Sequence, residues 1–394
     1  MRIRNLVWLL LCVSTMSALV MAQRYTVTDL GSLAPAAVNS WAQVVGDSNG
    51  HAFLWARGQG MLDLGLLPGG TFSRAVAIND LGTVTGTADG AGTVISPTSD
   101  YQNKACADLI QPFLWQRKSG MRGVGTLGFL FYGLPPNISP DTYWCMQDSY
   151  GSGINVLGQG IAYTGNELLA FNLYQFGLSW DGTGNFNQFG GGWPPTFANA
   201  INITGQIVGQ SSNAWYWNVG RATSWKNSVA TDLGTLVNGA SDEQDYSSAA
   251  NDVNDLGVTV GWSFTTPFYE DAGTTHAVIW TADGAIADLG TLAGDTLSQA
   301  KKINLFGIVI GMSGNTTAAP PDSDGMRKEV VGRPFVWTQS SGMRDLNTLI
   351  PANSGWVLSS ASGVNVWGQI VGVGVRNGQT HGYLLTPTNP FQTF

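Results

Sequence analysis

A two-part unit recurs along this chain, and a repeat of that kind constrains the fold more than any other property of the sequence. Its clearest copy runs from Ser247 to Leu292: SSAANDVNDLGVTVG, a connection, then HAVIWTADGAIADLGTL. In the first half an Asn is followed by Gly three and seven residues later. The register reads Asn79-Gly82-Gly86, Asn202-Gly205-Gly209, Asn254-Gly257-Gly261, Asn304-Gly307-Gly311 and Asn365-Gly368-Gly372. Asn39 keeps Gly46 but has Ala42 between, and Asn155 keeps Gly158 but has Ala162 at the last place. In the second half an apolar word ends in Trp, and the Asp of Asp-Leu-Gly follows eight residues on, as in Trp55 to Asp63 and Trp280 to Asp288. Trp337 leads at the same spacing to Asp345, where Leu-Asn follows, Trp225 to Asp232 is one residue shorter, and Trp115 and Trp180 lead to the degraded Gly123 and Gln188.

Each half reads as a β-hairpin. Ala-Val-Ala-Ile before Asn79 and Thr-Val-Thr after Gly82 are short β-prone runs around an Asn/Asp/Gly turn. Asn bonds its own backbone and Gly takes positive φ, so Asn-x-x-Gly suits a bulged turn. His51-Ala-Phe-Leu-Trp55 and Met61 to Leu64 flank a second Gly-rich turn. Two hairpins make four antiparallel strands, the blade of a β-propeller. A sandwich of hairpins is the alternative; radial stacking of similar units is preferred because it leaves no long exposed edges.

Seven Asn landmarks (39, 79, 155, 202, 254, 304, 365) predict seven blades. Asn365 opens a unit and His381-Gly-Tyr-Leu-Leu385 supplies its third strand, but no fourth follows. Tyr25 to Gly31 matches only the end of a unit. The fold expected is therefore all-β, a seven-bladed propeller of four-stranded antiparallel blades whose N-terminal strand completes the last blade.

Residues 1–22 read as a secretory signal peptide. Arg2 and Arg4 precede an apolar run from Leu6 to Val20, and Val20-Met21-Ala22 offers a cleavage site. The run is broken by Ser14, Thr15 and Ser17, which disfavours a permanent anchor, and Cys12 lacks a lipidation context. No later stretch is long and apolar enough to span a bilayer, so residues 23–394 are expected to form a single exported propeller domain, secreted or periplasmic. With 52 Gly and only 11% charged residues, the chain suits tight turns rather than helices. The net charge of −8 argues against nucleic acid, whose binding needs clustered Lys and Arg.

The words His51-Ala-Phe-Leu-Trp55, His276-Ala-Val-Ile-Trp280 and the repeated Asp-Leu-Gly resemble the HAF repeat of probable extracellular bacterial proteins. That resemblance covers most of the chain after the signal, although Gly151 to Gly192 fits poorly. It implies export and a propeller-like body, and it brings no catalytic residues.

Spacings inside each hairpin are nearly constant, whereas those between hairpins are not. Gly46 to Trp55 takes 9 residues, Gly86 to Trp115 takes 29, and Gly311 to Trp337 takes 26. In an up-and-down blade the two hairpin turns share one face and the other connections share the opposite one. All the length variation therefore collects on a single face, the candidate binding surface. Cys106 and Cys145 lie in neighbouring connections of that face, which predicts one disulfide in an exported protein, against two free thiols as the alternative.

His51, His276 and His381 share one repeat position, so they fall on different blades and serve the blade. The same reasoning assigns Asp29, Asp63, Asp232, Asp288 and Asp345 to neighbouring turns, and the repeat Trp to contacts between blades. Outside the repeat positions stand Trp144, with Phe131, Tyr132 and Tyr143, Trp193 before Pro194-Pro195, and Trp215-Tyr216-Trp217 after Asn213. Flat rings on stiff loops with polar neighbours are what a carbohydrate surface needs; small cores under long loops are the alternative. Asp242, Glu243, Asp245, Glu270, Asp271, Asp322 and Asp324 gather on the same connections. Asp322-Ser-Asp324-Gly325 faintly resembles a Ca²⁺ loop but lacks its later ligands, so no cofactor and no metal is assigned. No metal-binding His pair or phosphate loop is present, and no catalytic residue is assigned. The reading is a binding module for extracellular polysaccharide or a cell-surface protein. The alternative is a glycoside hydrolase or lyase working through carboxylates of the variable face.

Overall fold

The computed structural model describes residues 24–95, 103–127, 148–165, 176–181, 186–190, 196–211, 220–237, 247–266, 274–318 and 329–389. Among the described residues, seven four-stranded antiparallel blades stand around one axis. In chain order they span 34–63, 73–123, 148–189, 196–232, 248–288, 297–345 and 356–387. The first strand of each blade lies innermost, beside the first strands of its neighbours. The seventh blade takes its outermost strand from the other end of the chain. Tyr25–Asp29 pairs antiparallel with Gln379–Pro387, Tyr25 opposite Pro387 and Asp29 opposite Tyr383. An array of repeats that would otherwise end in two open edges is thereby a closed ring.

The seven Asn landmarks do more than turn the chain. In each blade the Asn N–H donates to the carbonyl four residues on, and the residue three on donates back to the Asn carbonyl. That third residue needs φ near the left-handed region, where Gly has no steric cost: Gly257 has φ 81° and Gly205 73°. Ala42 takes the same place at φ 57°. The Asn Oδ1 accepts the backbone N–H groups beyond it, Leu256 and Val258 for Asn254, each at 3.0 Å. The Asn Nδ2 then reaches across to the next blade and donates to the backbone carbonyl of its Asn. The chain of bonds runs 39→79, 79→155, 155→202, 202→254, 254→304, 304→365 and 365→39, at 2.9 to 3.2 Å. It returns to its start. All seven residues are buried.

The last Gly of the motif has a different cause. The innermost strand carries a bulge in six blades, for example between Ala250 and Asp252, and the facing Gly makes room for it. A Cβ on Gly261 would stand 1.9 Å from the Ala249 carbonyl oxygen, and Gly86 and Gly209 meet the same obstruction. In the third blade the pair is exchanged, Gly151 facing Ala162, which is why that unit departs from the motif. In the seventh the bulge widens into an interruption between Trp356–Leu358 and Gly363–Val364.

Each repeat Trp packs against the preceding blade. Trp115 joins Val45 and Leu54, Trp225 joins Ile161 and Phe189, and Trp280 joins Ala200 and Val208. Trp180, Trp225 and Trp280 are fully buried, and among the described residues Nε1 of each has no hydrogen-bond partner. Burying such a ring gains roughly 4–6 kcal/mol at about 25 cal/mol per Å². An unmade N–H bond costs about 1–3 kcal/mol, so apolar contact wins at these positions. Beside the second blade, the first long connection forms a small sheet that the repeat does not foretell. Gly92–Ile95 pairs antiparallel with Lys104–Cys106 and parallel with Thr126–Leu127.

If the Asn bonds hold adjacent blades together, Asn254→Ala should lower the unfolding free energy by about 3 kcal/mol, because it takes a partner at once from the part-buried Leu256 and Val258 N–H groups and the buried Asn304 carbonyl. Asn254→Asp keeps the acceptor but has no donor for the Asn304 carbonyl, so it should also fall below wild type. Chemical denaturation of the three proteins checks both outcomes.

Candidate functional site

The His and Asp of the repeat meet within each blade. His51 Nδ1 lies 2.8 Å from Asp63 Oδ2, His276 Nδ1 2.8 Å from Asp288 Oδ2, and His381 Nδ1 2.9 Å from Asp29 Oδ1. The other carboxylate function of each Asp is to accept the N–H of the Gly two residues on, at Gly65, Gly290 and Gly31. A carboxylate can only accept, so Nδ1 carries the proton in each pair. A His–Asp pair can orient a base, but here the position has another use. In the fourth and sixth blades Arg221 and Arg333 take the place of His and pair with Asp232 and Asp345. A guanidinium cannot serve as a general base. The shared role is to fix the last strand and the turn that leaves it.

At the seam this pairing ties the two ends of the chain together. Asp29, on the N-terminal strand, holds both His381 and Arg376 of the C-terminal hairpin. The Arg376 guanidinium stands 5.8 Å from the centre of the Trp356 ring, and His381 meets the same ring edge-on at 6.2 Å. Burial pushes the Asp29 carboxyl up, yet the Gly31 N–H, His381 and Arg376 together hold it below its usual range. Asp63 and Asp288 are held low in the same way, against burial, by Gly65 with His51 and by His276 with Gly290.

The face on which these pairs sit is also the one from which the long connections depart. In the first and seventh blades the two hairpins are joined by two-residue turns, Asn49-Gly50 and Asn377-Gly378, with φ of 50–80°. The second to sixth blades carry longer joins there, the second including the small sheet that contains Cys106. In the sixth the strands Val309–Ala318 and Glu329–Thr338 run ten residues each, paired out to Ala318 opposite Glu329. The variation therefore occupies one sector of one face, and the expectation from spacing holds.

The aromatic candidates Trp144, Trp193, Trp215, Tyr216 and Trp217 lie outside the described residues, as do Phe131, Tyr132, Tyr143, Cys145 and the acidic groups at 242–245, 270–271 and 322–324. Cys106 is described and buried. The strand ends that flank those segments, Leu127 and Asp148, Ser211 and Arg221, all belong to the variable face. Among the described residues no group of three or more His, Cys, Asp or Glu is placed to hold a metal ion. Of the repeat residues, spacing alone did not disclose the Asn ring; its signal was that Asn is kept at all seven places while the Gly partners vary.

Each depressed carboxyl binds its proton more weakly in the folded than in the unfolded protein. Its contribution is complete above the unfolded value of about 3.9 and is lost as pH falls through the lower folded value. The contribution of these three carboxyls should be level above about pH 5 and decline below about pH 4. Asp63→Asn/Asp288→Asn should show a shallower decline in the same acid titration followed by denaturant unfolding.

No protein-family model matches the chain, and no curated protein matches it. Solved structures resemble it in shape. A streptogramin B lyase structure is 9% identical, covers 93% of this chain and 98% of its own, and superposes with a TM-score of 0.47. A virginiamycin B lyase from Staphylococcus aureus is 8% identical over 91% of this chain and 99% of its own, with a TM-score of 0.46. A puromycin hydrolase S511A mutant complexed with PGG is 10% identical over 90% of this chain and 50% of its own, with a TM-score of 0.47. The strand pairing itself makes the chain a seven-bladed propeller.

Proposed function

We propose that this chain is an exported propeller that acts as a binding module, presenting the variable face to extracellular polysaccharide or to a protein of the cell surface. One observation carries the reading. The connections that differ in length and hold the non-repeat aromatics all spring from one face of a closed ring, over the second to sixth blades. A rigid ring that spends its repeat His, Asp, Asn and Trp on its own integrity leaves recognition to those connections. Trp144, Trp193, Trp215, Tyr216 and Trp217 are the ring systems on which sugar C–H faces would stack. A Cys106–Cys145 bridge would tie the second blade's long connection to the one leading to the third. Removal of residues 1–22 on export, and the likeness to the HAF repeat, belong to the same proposal.

The test is retention of the mature protein on a panel of soluble and insoluble polysaccharides, beside Trp215→Ala/Trp217→Ala. Selective binding that is lost in a folded variant supports a sugar site on the variable face. Absence of binding by the wild type to every polysaccharide overturns the sugar reading and leaves the surface protein as the ligand to seek.

A further inference from the structure

The opposite face carries a pattern that the fold does not require. At the tip of each Asn turn, two residues after the Asn, stand Trp41, Leu81, Leu157, Leu256, Phe306 and Trp367, each 53 to 75% exposed. In the fourth blade the place is held by Thr204, whose N–H makes the same bond to the Asn Oδ1, at 3.0 Å. The turn therefore forms equally well with a polar residue, and turn tips ordinarily carry polar ones. Six large apolar side chains exposed around one axis mark an interaction surface rather than a folding need.

Two of them are also fixed in orientation. Trp367 Nε1 donates to the Ser40 carbonyl and Trp41 Nε1 to the Asp80 carbonyl, each at 3.0 Å, so each indole bonds the tip of the next blade. Their polar atoms are satisfied by the protein, and what remains outward is ring.

Charge on this face is arranged differently from the variable face. There, Arg74, Arg221, Arg333 and Arg376 are all paired with carboxylates. On the turn face Arg57, Arg117, Lys118 and Lys226 sit exposed on the outer turns of the first, second and fourth blades, with no carboxylate partner among the described residues. Arg117 bonds Gln59 at 3.2 Å, which sets the cations of the first two blades side by side. The acidic groups of the face are Asp80, Asp255, Asp181 and Asp283. Asp80 is taken up by the Ser40 N–H and hydroxyl, Asp255 by the Ile203 N–H, and Asp283 by the Thr281 hydroxyl. Asp181 and Asp283 belong to the third and fifth blades, away from the cationic pair of blades.

We infer that the sector formed by the seventh, first and second blades docks on an anionic lipid bilayer. Trp367, Trp41 and Leu81 enter the interfacial region, and Arg57, Arg117 and Lys118 meet lipid phosphates at its surface. Indoles are favoured at that depth, and unpaired cations beside an apolar surface are the feature that separates an anionic membrane from a neutral partner. Docked this way, the protein lies flat with its variable face turned away from the membrane.

Flotation with vesicles of phosphatidylcholine alone, and of phosphatidylcholine mixed with phosphatidylglycerol, tests this. Wild type should float with the mixed vesicles and be released by salt. Trp41→Thr/Leu81→Thr/Trp367→Thr should lose flotation, while Arg57→Gln/Arg117→Gln/Lys118→Gln should lose about fivefold in partitioning per cation removed. Thr204 shows that the tips tolerate the first change, and an unaltered denaturation midpoint confirms it. If that variant is unstable, Leu81→Thr alone and the cation variant decide. Failure of wild type to float with the mixed vesicles overturns the inference, as does a folded tip variant that floats like wild type. So does a lipid-free dimer in sedimentation velocity that disappears in the tip variant without any flotation of wild type; the face would then be covered by a second copy.

Discussion

The bond from an Asn side-chain amide to the backbone carbonyl of the next blade's Asn is the constraint on which this structure turns. It needs a short side chain with a donor and an acceptor together. The acceptor closes the turn in its own blade, and the donor spans to the neighbour. Because these bonds return from Asn365 to Asn39, no blade can leave the ring without breaking two of them. The Trp wedges pack apolar surface between blades, but contact of that kind is tolerant of small rotations. The hydrogen bonds fix the angle at which successive blades stand, and seven of them close.

The same geometry separates the two faces. Turns that carry the ring must keep one length and one backbone shape, so that side of the disc has little freedom except in the residues at its tips. Connections on the other side carry no such obligation and are free to lengthen. His–Asp and Arg–Asp pairs hold down the strand ends there, and long joins depart from beside them. The proposed recognition by variable connections and the inferred attachment by turn tips draw on different residues, so one molecule could carry both.

Part of this architecture is legible in the sequence at particular residues. The blade count and the shared last blade followed from Asn spacing and from the unpaired strand at Tyr25, since a repeat exposes its own incompleteness. Gly82 and its counterparts declared positive φ. Gly261 and its counterparts did not declare their cause, because a bulge in a facing strand is a property of two segments. The Asn ring was hidden for the same reason: nothing local to Asn254 says that the next acceptor is the Asn304 carbonyl. The exchanged pair Gly151 and Ala162 made a sound third blade look degraded. The exposure of Phe306 and Trp367 follows from the turns that carry them, not from their residue type.

The ring makes the seven blades one cooperative unit rather than a stack of separable repeats. Native-state hydrogen exchange at the amides of Gln43, Thr83, Gln159, Gln206, Val258, Ile308 and Gln369, which all donate to a ring Asn, reads this directly. A closed ring predicts that all seven exchange together, at the free energy of global unfolding. Exchange at separate and lower free energies, rising blade by blade away from the seam between the chain ends, would contradict it.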